Sequence, residues 1–140
     1  MNETIFIASD HAGFDLKKQI IDSMKGNFID LGADNKNSVD YPDFAEKLVS
    51  KIKSTENSKG ILICGSGIGM SIAANRDKNI RAGLAFKSEI AKLMREHNDA
   101  NVLILPGKFM NILDAIKCVR NFLTTNFEGK RHQNRVNKLS

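Results

Sequence analysis

Residues 61–76 read ILICGSGIGMSIAANR, an apolar run of strand length that passes directly into a glycine loop and then a helical pattern. A short run that is apolar throughout, rather than at alternate positions, is typical of a strand covered on both faces of a parallel sheet. We therefore predict a buried strand over residues 60–65, with the glycine loop at its carboxyl end.

Four further runs have the same character, and longer helical patterns separate them. The predicted strands cover residues 4–9, 27–32, 80–86 and 101–107. A helix is expected from Asp40, which can cap it, with Pro42 in its first turn. This alternation predicts one doubly wound α/β domain over residues 1–140, a three-layer α/β/α sandwich around a five-stranded parallel sheet.

Helical spacing predicts which side chains of each helix face the core. Residues 130–140 are expected to form a basic C-terminal helix or tail with its charged face exposed. The predicted apolar stripes are Leu16, Ile20, Ile21 and Met24; Ala45, Leu48, Val49 and Ile52; Ile90, Leu93 and Met94; and Ile112, Ile116, Val119 and Leu123.

Composition restricts the class of protein. With 41% hydrophobic and 26% charged residues, the 140-residue chain is typical of a soluble globular domain. No apolar run approaches the ~20 residues of a membrane helix, and the N-terminus lacks the pattern of a signal peptide. We therefore expect a cytoplasmic protein with no membrane partner. The two cysteines lie outside any metal-binding spacing, which gives no support to a disulfide scaffold or a metal site.

The net charge of +5 is concentrated near the C-terminus. Residues 128–140 carry Lys130, Arg131, Arg135 and Lys138 against Glu128 alone. A basic segment can bind nucleic acid, a membrane surface or a small anion. This segment has no Phe, Tyr or Trp on which a base could stack, which favours a small anion over nucleic acid.

The predicted fold locates the site, because open parallel sheets bind ligands beyond the carboxyl ends of their strands. The glycines of the loop at residues 64–69 leave backbone N–H groups free to converge on a bound oxygen, so the loop is a candidate anion hole. The G-x-G-x-G spacing after the third strand differs from a dinucleotide fingerprint, and the G-x-x-x-x-G-K-[ST] motif of a P-loop is absent.

Cys64 immediately precedes this loop, and two interpretations of it remain open. A lone cysteine at the end of an apolar strand is most often a small core residue. Alternatively, the amides and the helix end beside it lower the pKa of the thiol and make it a base or nucleophile. Cys118, within an apolar helical pattern, has no such neighbours and is expected in the core.

The other candidates each have a structural alternative. Asp10 could cap a helix, and His11 could be a turn residue. Ser66 could be a loop residue, His97 a C-terminal helix residue, and the Arg131–Arg135 pair a solvated face. We expect all of them at one edge of the sheet, where a base, an anion hole, a carboxylate, two histidines and a cationic pair would suit proton transfer on a phosphorylated small molecule.

Six motifs in order give the chain a family resemblance: SDHAGFDLK, DYPDFA, ILICGSGIGMSIAANR, IRAG, EHNDANVL and EGKRHQNRV. Together they resemble the type B ribose-5-phosphate isomerases of the RpiB/LacAB sugar-phosphate isomerase family, over about residues 5–136. The resemblance implies a Rossmann-like fold and reversible interconversion of D-ribose 5-phosphate and D-ribulose 5-phosphate in the pentose phosphate pathway. It also implies that no cofactor or metal is needed, and that homodimers or homotetramers share active sites between subunits.

The resemblance assigns roles to individual residues. It implies that Cys64 is the base that moves a proton between C1 and C2, in preference to the carboxylate that an alternative subfamily uses a few residues along. His97 would open the furanose ring, with Asp10 on the ring-oxygen or hydroxyl side. The enediolate hole would be formed by Gly65, Ser66, Gly67, Ile68 and Gly69; Tyr41 and Asn98 would contact the substrate, and His11, Arg131 and Arg135 the phosphate.

Lys108 departs from the family pattern, since many relatives have arginine in the turn after the fifth strand. Lysine supplies positive charge without a bidentate fork, so its phosphate role is the least supported of the set.

Two other functions remain as alternatives. One is isomerisation of a six-carbon sugar phosphate, such as galactose 6-phosphate or allose 6-phosphate, which the pair at 97–98 disfavours. The other is non-catalytic binding of a nucleotide or nucleic acid, which predicts salt-dependent binding and no dependence on Cys64.

Overall fold

The computed structural model describes residues 2–140 as five strands and six helices that alternate along most of the chain. In chain order the elements are β1 (Thr4–Ser9), α1 (Phe14–Ser23), β2 (Phe28–Asp30), α2 (Tyr41–Ser54), β3 (Ser58–Cys64), α3 (Ile68–Ala74), β4 (Ala82–Leu84), α4 (Ser88–Asn98), β5 (Val102–Pro106), α5 (Ile112–Thr124) and α6 (Arg131–Asn137).

The five strands form one sheet in the order β2-β1-β3-β5-β4, and every neighbouring pair is parallel. Right-handed crossovers place a helix on one face when the chain moves one way across the sheet and on the other face when it moves back. Accordingly, the core beneath α1, α4 and α5 lies on one face and the core beneath α2 and α3 on the other. The predicted doubly wound α/β sandwich is confirmed.

The central strand β3 shows how the sequence builds both cores. Ile61 and Ile63 belong to the core under α1 and α5, while Leu62 and Cys64 belong to the core under α2 and α3. All four are buried. Burying each large aliphatic side chain contributes about 1.5–3 kcal/mol, so a strand that is apolar throughout anchors both layers.

The strand boundaries differ from the predictions mainly at the two edges of the sheet. β2 and β4 have three residues each, where the sequence predicted runs over 27–32 and 80–86. Both strands pair on one side only. Short edge strands leave few unpaired backbone groups, which reduces edge-to-edge aggregation.

The predicted apolar face of α4 is confirmed at Met94, which is buried, and wrong at the other two positions. Ile90 and Leu93 are 44% and 40% exposed. Ala91 and Arg95 are buried instead. The small Ala91 side chain lets the helix approach the sheet, and the Arg95 guanidinium is satisfied by the carbonyls of residues 100 and 125. Because Arg95 is buried, the face of α4 that packs on the sheet is turned away from Ile90 and Leu93.

The basic C-terminal segment forms α6, which packs against α4. Its Arg131 and Arg135 side chains are exposed, whereas His132 and Val136 are buried. Within residues 2–140, no helix has the length and apolar composition that crossing a bilayer requires.

Candidate active site

Three loops meet at the carboxyl edge of the sheet, where β1, β3 and β5 end side by side. The Asp10 N–H donates to the Ile63 carbonyl at 3.2 Å, and the Gly107 N–H donates to the Cys64 carbonyl at 2.8 Å. The Lys108 N–H donates to the Gly65 carbonyl at 2.9 Å. β1 lies between β2 and β3 in the sheet, so the order of the strands reverses between β1 and β3. The carboxyl ends of these two strands therefore form the switch point at which such sheets bind ligands.

Cys64 is the last residue of β3 and is 5% exposed. Its side chain lies in the core under α2 and α3, with Ala8 and Met70 among the residues of that cluster. The residue after it begins the glycine loop. The side chain thus lies in a dry environment, as the packing interpretation requires. Its backbone continues directly into the glycine loop, as the catalytic interpretation requires.

The glycine loop turns sharply into α3. Gly67 has φ +78°, a left-handed conformation that a side chain would strain. The Ile68 N–H donates to Ser66 Oγ at 3.2 Å, a local bond within the turn that precedes α3. The Ile68 amide is therefore paired within the loop in this structure.

The loop after β1 supplies two of the candidates. Asp10 is 6% exposed, and its Oδ1 accepts a hydrogen bond from the Gly13 N–H at 3.0 Å. This bond organises the turn that leads into α1, although the N-cap of that helix is Gly13 and not Asp10, as the capping interpretation had it. His11 Nδ1 accepts from the Val39 N–H at 3.2 Å, an assignment that places the ring proton on Nε2 and leaves Nε2–H as a donor.

Tyr41 and Lys108 border the glycine loop from opposite elements. A Cβ at position 69 would lie 2.6 Å from Tyr41 Cε1, so the aromatic ring covers the backbone of Gly69. A Cβ at position 65 would lie 3.5 Å from Lys108 Cδ, so the lysine stem runs beside Gly65. Both residues lie where the sequence predicted them.

Four predicted residues do not lie at this edge. His97 and Asn98 end α4, which runs from the carboxyl edge back to the amino edge before β5 begins. The Asn98 carbonyl accepts a hydrogen bond from Arg81 Nε at 3.1 Å, and Arg81 immediately precedes β4. Arg131 and Arg135 lie on α6 beside the same helix end. The expectation that all the candidates share one edge is therefore wrong for a single chain, because a helix that connects parallel strands ends opposite to where it starts.

The residues at the amino edge form a cluster of their own. The His97 and His132 rings are stacked, with centroids 4.3 Å apart and 17° between their planes. Arg135 Nη1 lies 3.4 Å from His132 Nδ1, and Glu128 Oε1 lies 3.8 Å from His132 Nε2. Within residues 2–140, no carboxylate forms an ion pair with Arg131 or Arg135. Two adjacent guanidinium groups are thus available for an anion.

His132 is a residue that the sequence analysis missed. Burial lowers its pKa, and the positive charges of Arg131, His97 and Arg135 lower it further, against an opposing effect of Glu128. The sequence feature that could have identified His132 is its position between two arginines on a short amphipathic helix, on the side of that helix that faces the protein.

This cluster is also the place where a metal could be considered. Ligand atoms of His97, Glu128 and His132 all lie within 4.8 Å of one another. Imidazole lone pairs lie in the ring plane, so nearly parallel stacked rings do not direct both nitrogens at one point. Arg131 and Arg135 also oppose a cation here. The arrangement suits an anion better than a metal ion.

The carboxyl edge therefore has a buried thiol, a glycine loop and a histidine donor, and the amino edge has an imidazole pair and a guanidinium pair. A doubly wound sheet with such a loop at its switch point is the architecture of an enzyme that acts on a small anionic substrate.

The chain belongs to the ribose/galactose isomerase family, whose model matches residues 5–139. It is 46% identical over 143 residues to the probable ribose-5-phosphate isomerase B of Mycoplasma pneumoniae, with 99% of this chain and 94% of that protein covered. Its fold is similar to the crystal structure of ribose 5-phosphate isomerase from Thermotoga maritima, with a TM-score of 0.95, 46% identity and coverage of 99% of this chain and 98% of that one. The Mycoplasma genitalium ribose-5-phosphate isomerase B with bound ribulose-5-phosphate has a TM-score of 0.92 and 44% identity, with coverage of 99% and 95%.

Proposed function

We propose that this protein is an aldose-ketose isomerase that interconverts D-ribose 5-phosphate and D-ribulose 5-phosphate, the isomerisation step of the pentose phosphate pathway. The observation that carries the proposal is the 44% identity, over nearly the whole of both chains, to an isomerase that contains bound ribulose-5-phosphate. The buried thiol beside a glycine loop supplies the chemistry that this reaction needs.

The reaction starts with ring opening, because ribose 5-phosphate is mainly a furanose. His97 transfers a proton so that the bond between C1 and the ring oxygen breaks and an aldehyde forms. Asp10 contacts the hydroxyl side of the sugar. Ribulose 5-phosphate needs no such step, since its C5 oxygen carries the phosphate and cannot close a five-membered ring.

Proton transfer between the carbons follows. Cys64, as thiolate, removes the proton from C2; the C2–H electron pair forms the C1=C2 double bond, and the π electrons of the C1 carbonyl move to its oxygen to give an enediolate. Amides of the loop at residues 65–69 stabilise this oxygen, with the Ser66 hydroxyl close by. The thiol then returns the proton to C1, and the O2 hydroxyl proton passes to O1, which gives the ketose.

Binding of the phosphate requires the cationic residues at both edges. His11 Nε2–H donates to the phosphate, and Arg131 and Arg135 neutralise its charge. Lys108 adds positive charge beside Gly65. Tyr41 covers the loop and closes the sugar site, and Asn98 contacts the sugar hydroxyls.

A single chain cannot bring these groups together, because His97, Asn98, Arg131 and Arg135 lie at the amino edge. We infer a homodimer, or a homotetramer of two such dimers, in which the amino edge of one copy completes the carboxyl edge of the other. This assembly could cover large apolar side chains that are exposed in one chain, since apolar surface at an interface is removed from water. They include Ile68, Ile72, Phe86, Ile90, Leu93, Phe109 and Leu113.

The six-carbon alternative keeps one observation in its favour, namely that the matching family comprises both ribose and galactose isomerases. A coupled assay with purified protein should compare ribose 5-phosphate with galactose 6-phosphate and allose 6-phosphate. We expect the highest kcat/KM with the pentose phosphate. A higher value with either hexose phosphate would reassign the substrate, and no turnover of any of the three would refute the isomerase assignment.

A further inference from the structure

The stacked imidazoles of His97 and His132 make a contact to which the proposed mechanism gives no role. The two rings come from different elements, the last turn of α4 and the first turn of α6. They lie nearly parallel at 4.3 Å, the offset geometry in which aromatic rings attract each other. His132 is 5% exposed, so its ring is fixed while the His97 ring remains accessible.

The nitrogens of His132 define a second contact. Arg135 Nη1 lies 3.4 Å from His132 Nδ1, and a guanidinium can only donate, so Nδ1 is the acceptor. The ring proton is then on Nε2, which is buried and has no hydrogen-bond partner. The nearest carboxylate oxygen, Glu128 Oε1, is 3.8 Å away. Leaving a buried N–H unpaired destabilises the fold, a cost that an apolar side chain of this size would avoid.

We propose that His132 is a positioning residue with two separable effects: its ring holds the His97 imidazole in place for ring opening, and its Nδ1 holds the Arg135 guanidinium in place for the phosphate. The inference rests on the proposed function, because both effects act through His97 and Arg135, to which the proposed mechanism gives roles. His132 itself has no contact with the sugar in this proposal. One residue thereby fixes the geometry of an acid/base group and of a phosphate ligand that come from different helices.

The charges around the pair support this role. His132 faces His97 on α4, Glu128 in the preceding loop, and Arg131 and Arg135 on its own helix. Burial and the three cationic neighbours lower the pKa of His132 and keep its ring neutral. A neutral ring accepts a bond from Arg135 and presents its π face to His97 when His97 carries a proton. Two stacked imidazolium rings would repel each other, which is a further reason for the His132 ring to stay neutral.

Two substitutions separate the two effects. His132→Phe keeps a flat ring for the stack and removes the Nδ1 acceptor. His132→Asn keeps a polar acceptor near the position of Nδ1 and removes the stack. Gln133→Ala, on the exposed side of the same helix, is the control.

Two readouts match these variants. The KM for ribulose 5-phosphate reports phosphate binding, since this sugar needs no ring opening. The rate with ribose 5-phosphate at rising enzyme concentration reports ring opening, because an enzyme that cannot open the ring becomes limited by spontaneous opening in solution.

We expect His132→Phe to raise the KM for ribulose 5-phosphate about tenfold, while its rate with ribose 5-phosphate keeps rising with enzyme concentration. We expect His132→Asn to leave this KM within about twofold of wild type, while its rate with ribose 5-phosphate reaches a plateau. Any other pattern in folded variants, including wild-type behaviour or equal losses in both readouts, overturns the inference.

Melting curves establish that the variants fold, and nitrogen NMR of the wild-type imidazoles tests the inference without any variant. A neutral His132 with its proton on Nε2 is expected near neutral pH; a charged ring or a proton on Nδ1 overturns it. Failure of the proposed function is distinct, since it would appear as wild-type protein that turns over neither sugar.

Discussion

The aromatic ring of Tyr41, at the start of α2, lies directly on the backbone of Gly69, in the first turn of α3. This contact joins the segment after β2 to the glycine loop after β3. It exists only because residue 69 has no side chain, since a Cβ there would lie 2.6 Å from the ring. The Tyr41 ring, which we propose closes the sugar site, and the glycine loop are therefore packed together as one unit.

Gly69→Ala should displace the Tyr41 ring while leaving the fold intact, because the ring is 38% exposed and can move outward. We expect kcat/KM to fall by at least about tenfold, as misplacement near a reacting centre does. Ser71→Ala, in the same helix, is the control. Full activity of Gly69→Ala would show that the contact has no catalytic consequence.

The two cysteines offer a matched pair of substitutions. Cys64→Ala should abolish isomerisation in both directions while the protein still binds the sugar phosphate, because the base is removed and the binding groups stay. Cys118→Ala should keep full activity and lower the free energy of unfolding by about 1–2 kcal/mol through the small cavity it leaves. Steady-state kinetics, ligand titration and denaturant unfolding measure these effects. Turnover retained in Cys64→Ala would remove the thiol from the mechanism.

Cys118 also predicts a pH dependence of stability. Burial, with smaller effects of Asp114 and Glu89, raises the pKa of its thiol from 9.0 to about 11. A thiol that ionises more readily in the unfolded chain contributes stability that is fully present below pH 9.0 and is lost as the pH rises towards about 11. The free energy of unfolding should therefore fall less steeply over this range in Cys118→Ala than in wild type. Parallel curves would contradict the assignment.

His97→Asn tests the ring-opening step on its own. The variant should isomerise ribulose 5-phosphate in proportion to enzyme concentration, because that sugar is already open. With ribose 5-phosphate its rate should level off at the rate of spontaneous ring opening. If both sugars behave alike at every enzyme concentration, His97 has no specific part in opening the ring.

The proposed sharing of active sites between two copies predicts complementation between inactive variants. Cys64→Ala damages the carboxyl edge, and the double variant Arg131→Ala/Arg135→Ala damages the amino edge. A dimer that contains one copy of each has one intact site and one site with both defects. Random pairing after co-expression should restore about a quarter of wild-type activity.

Each variant expressed alone is the control for this experiment. Activity no higher than the sum of the two separate variants would overturn the proposed sharing of active sites between copies.

The sequence predicted the central part of the fold well, because the signals there are redundant. The residues of β3 are apolar at successive positions, and the glycine loop marks where the strand ends. Asp10, His11, Tyr41 and Lys108 were placed correctly because each follows a strand or starts a helix at the carboxyl edge. Local spacing is sufficient for such positions.

The errors concern residues whose position depends on the direction in which a helix runs or on hydrogen-bond partners from other segments. His97 was assigned to the carboxyl edge because its chemistry matched that of Cys64, although a residue just before a strand belongs at the amino edge. Ile90 and Leu93 were assigned to the core because they are apolar, whereas the buried Arg95 depends on carbonyl groups from other segments. His132 was missed because only the charged face of its helix was considered.

If the site combines the glycine loop of one copy with α4 and α6 of another, as we propose, catalysis requires two chains to associate. On strong dilution the copies would then separate, and the activity per molecule would fall although every chain stayed folded. The total rate would then depend on the square of the protein concentration when that concentration is low. The abundance of the chain in the cell would therefore determine the fraction of it that is active.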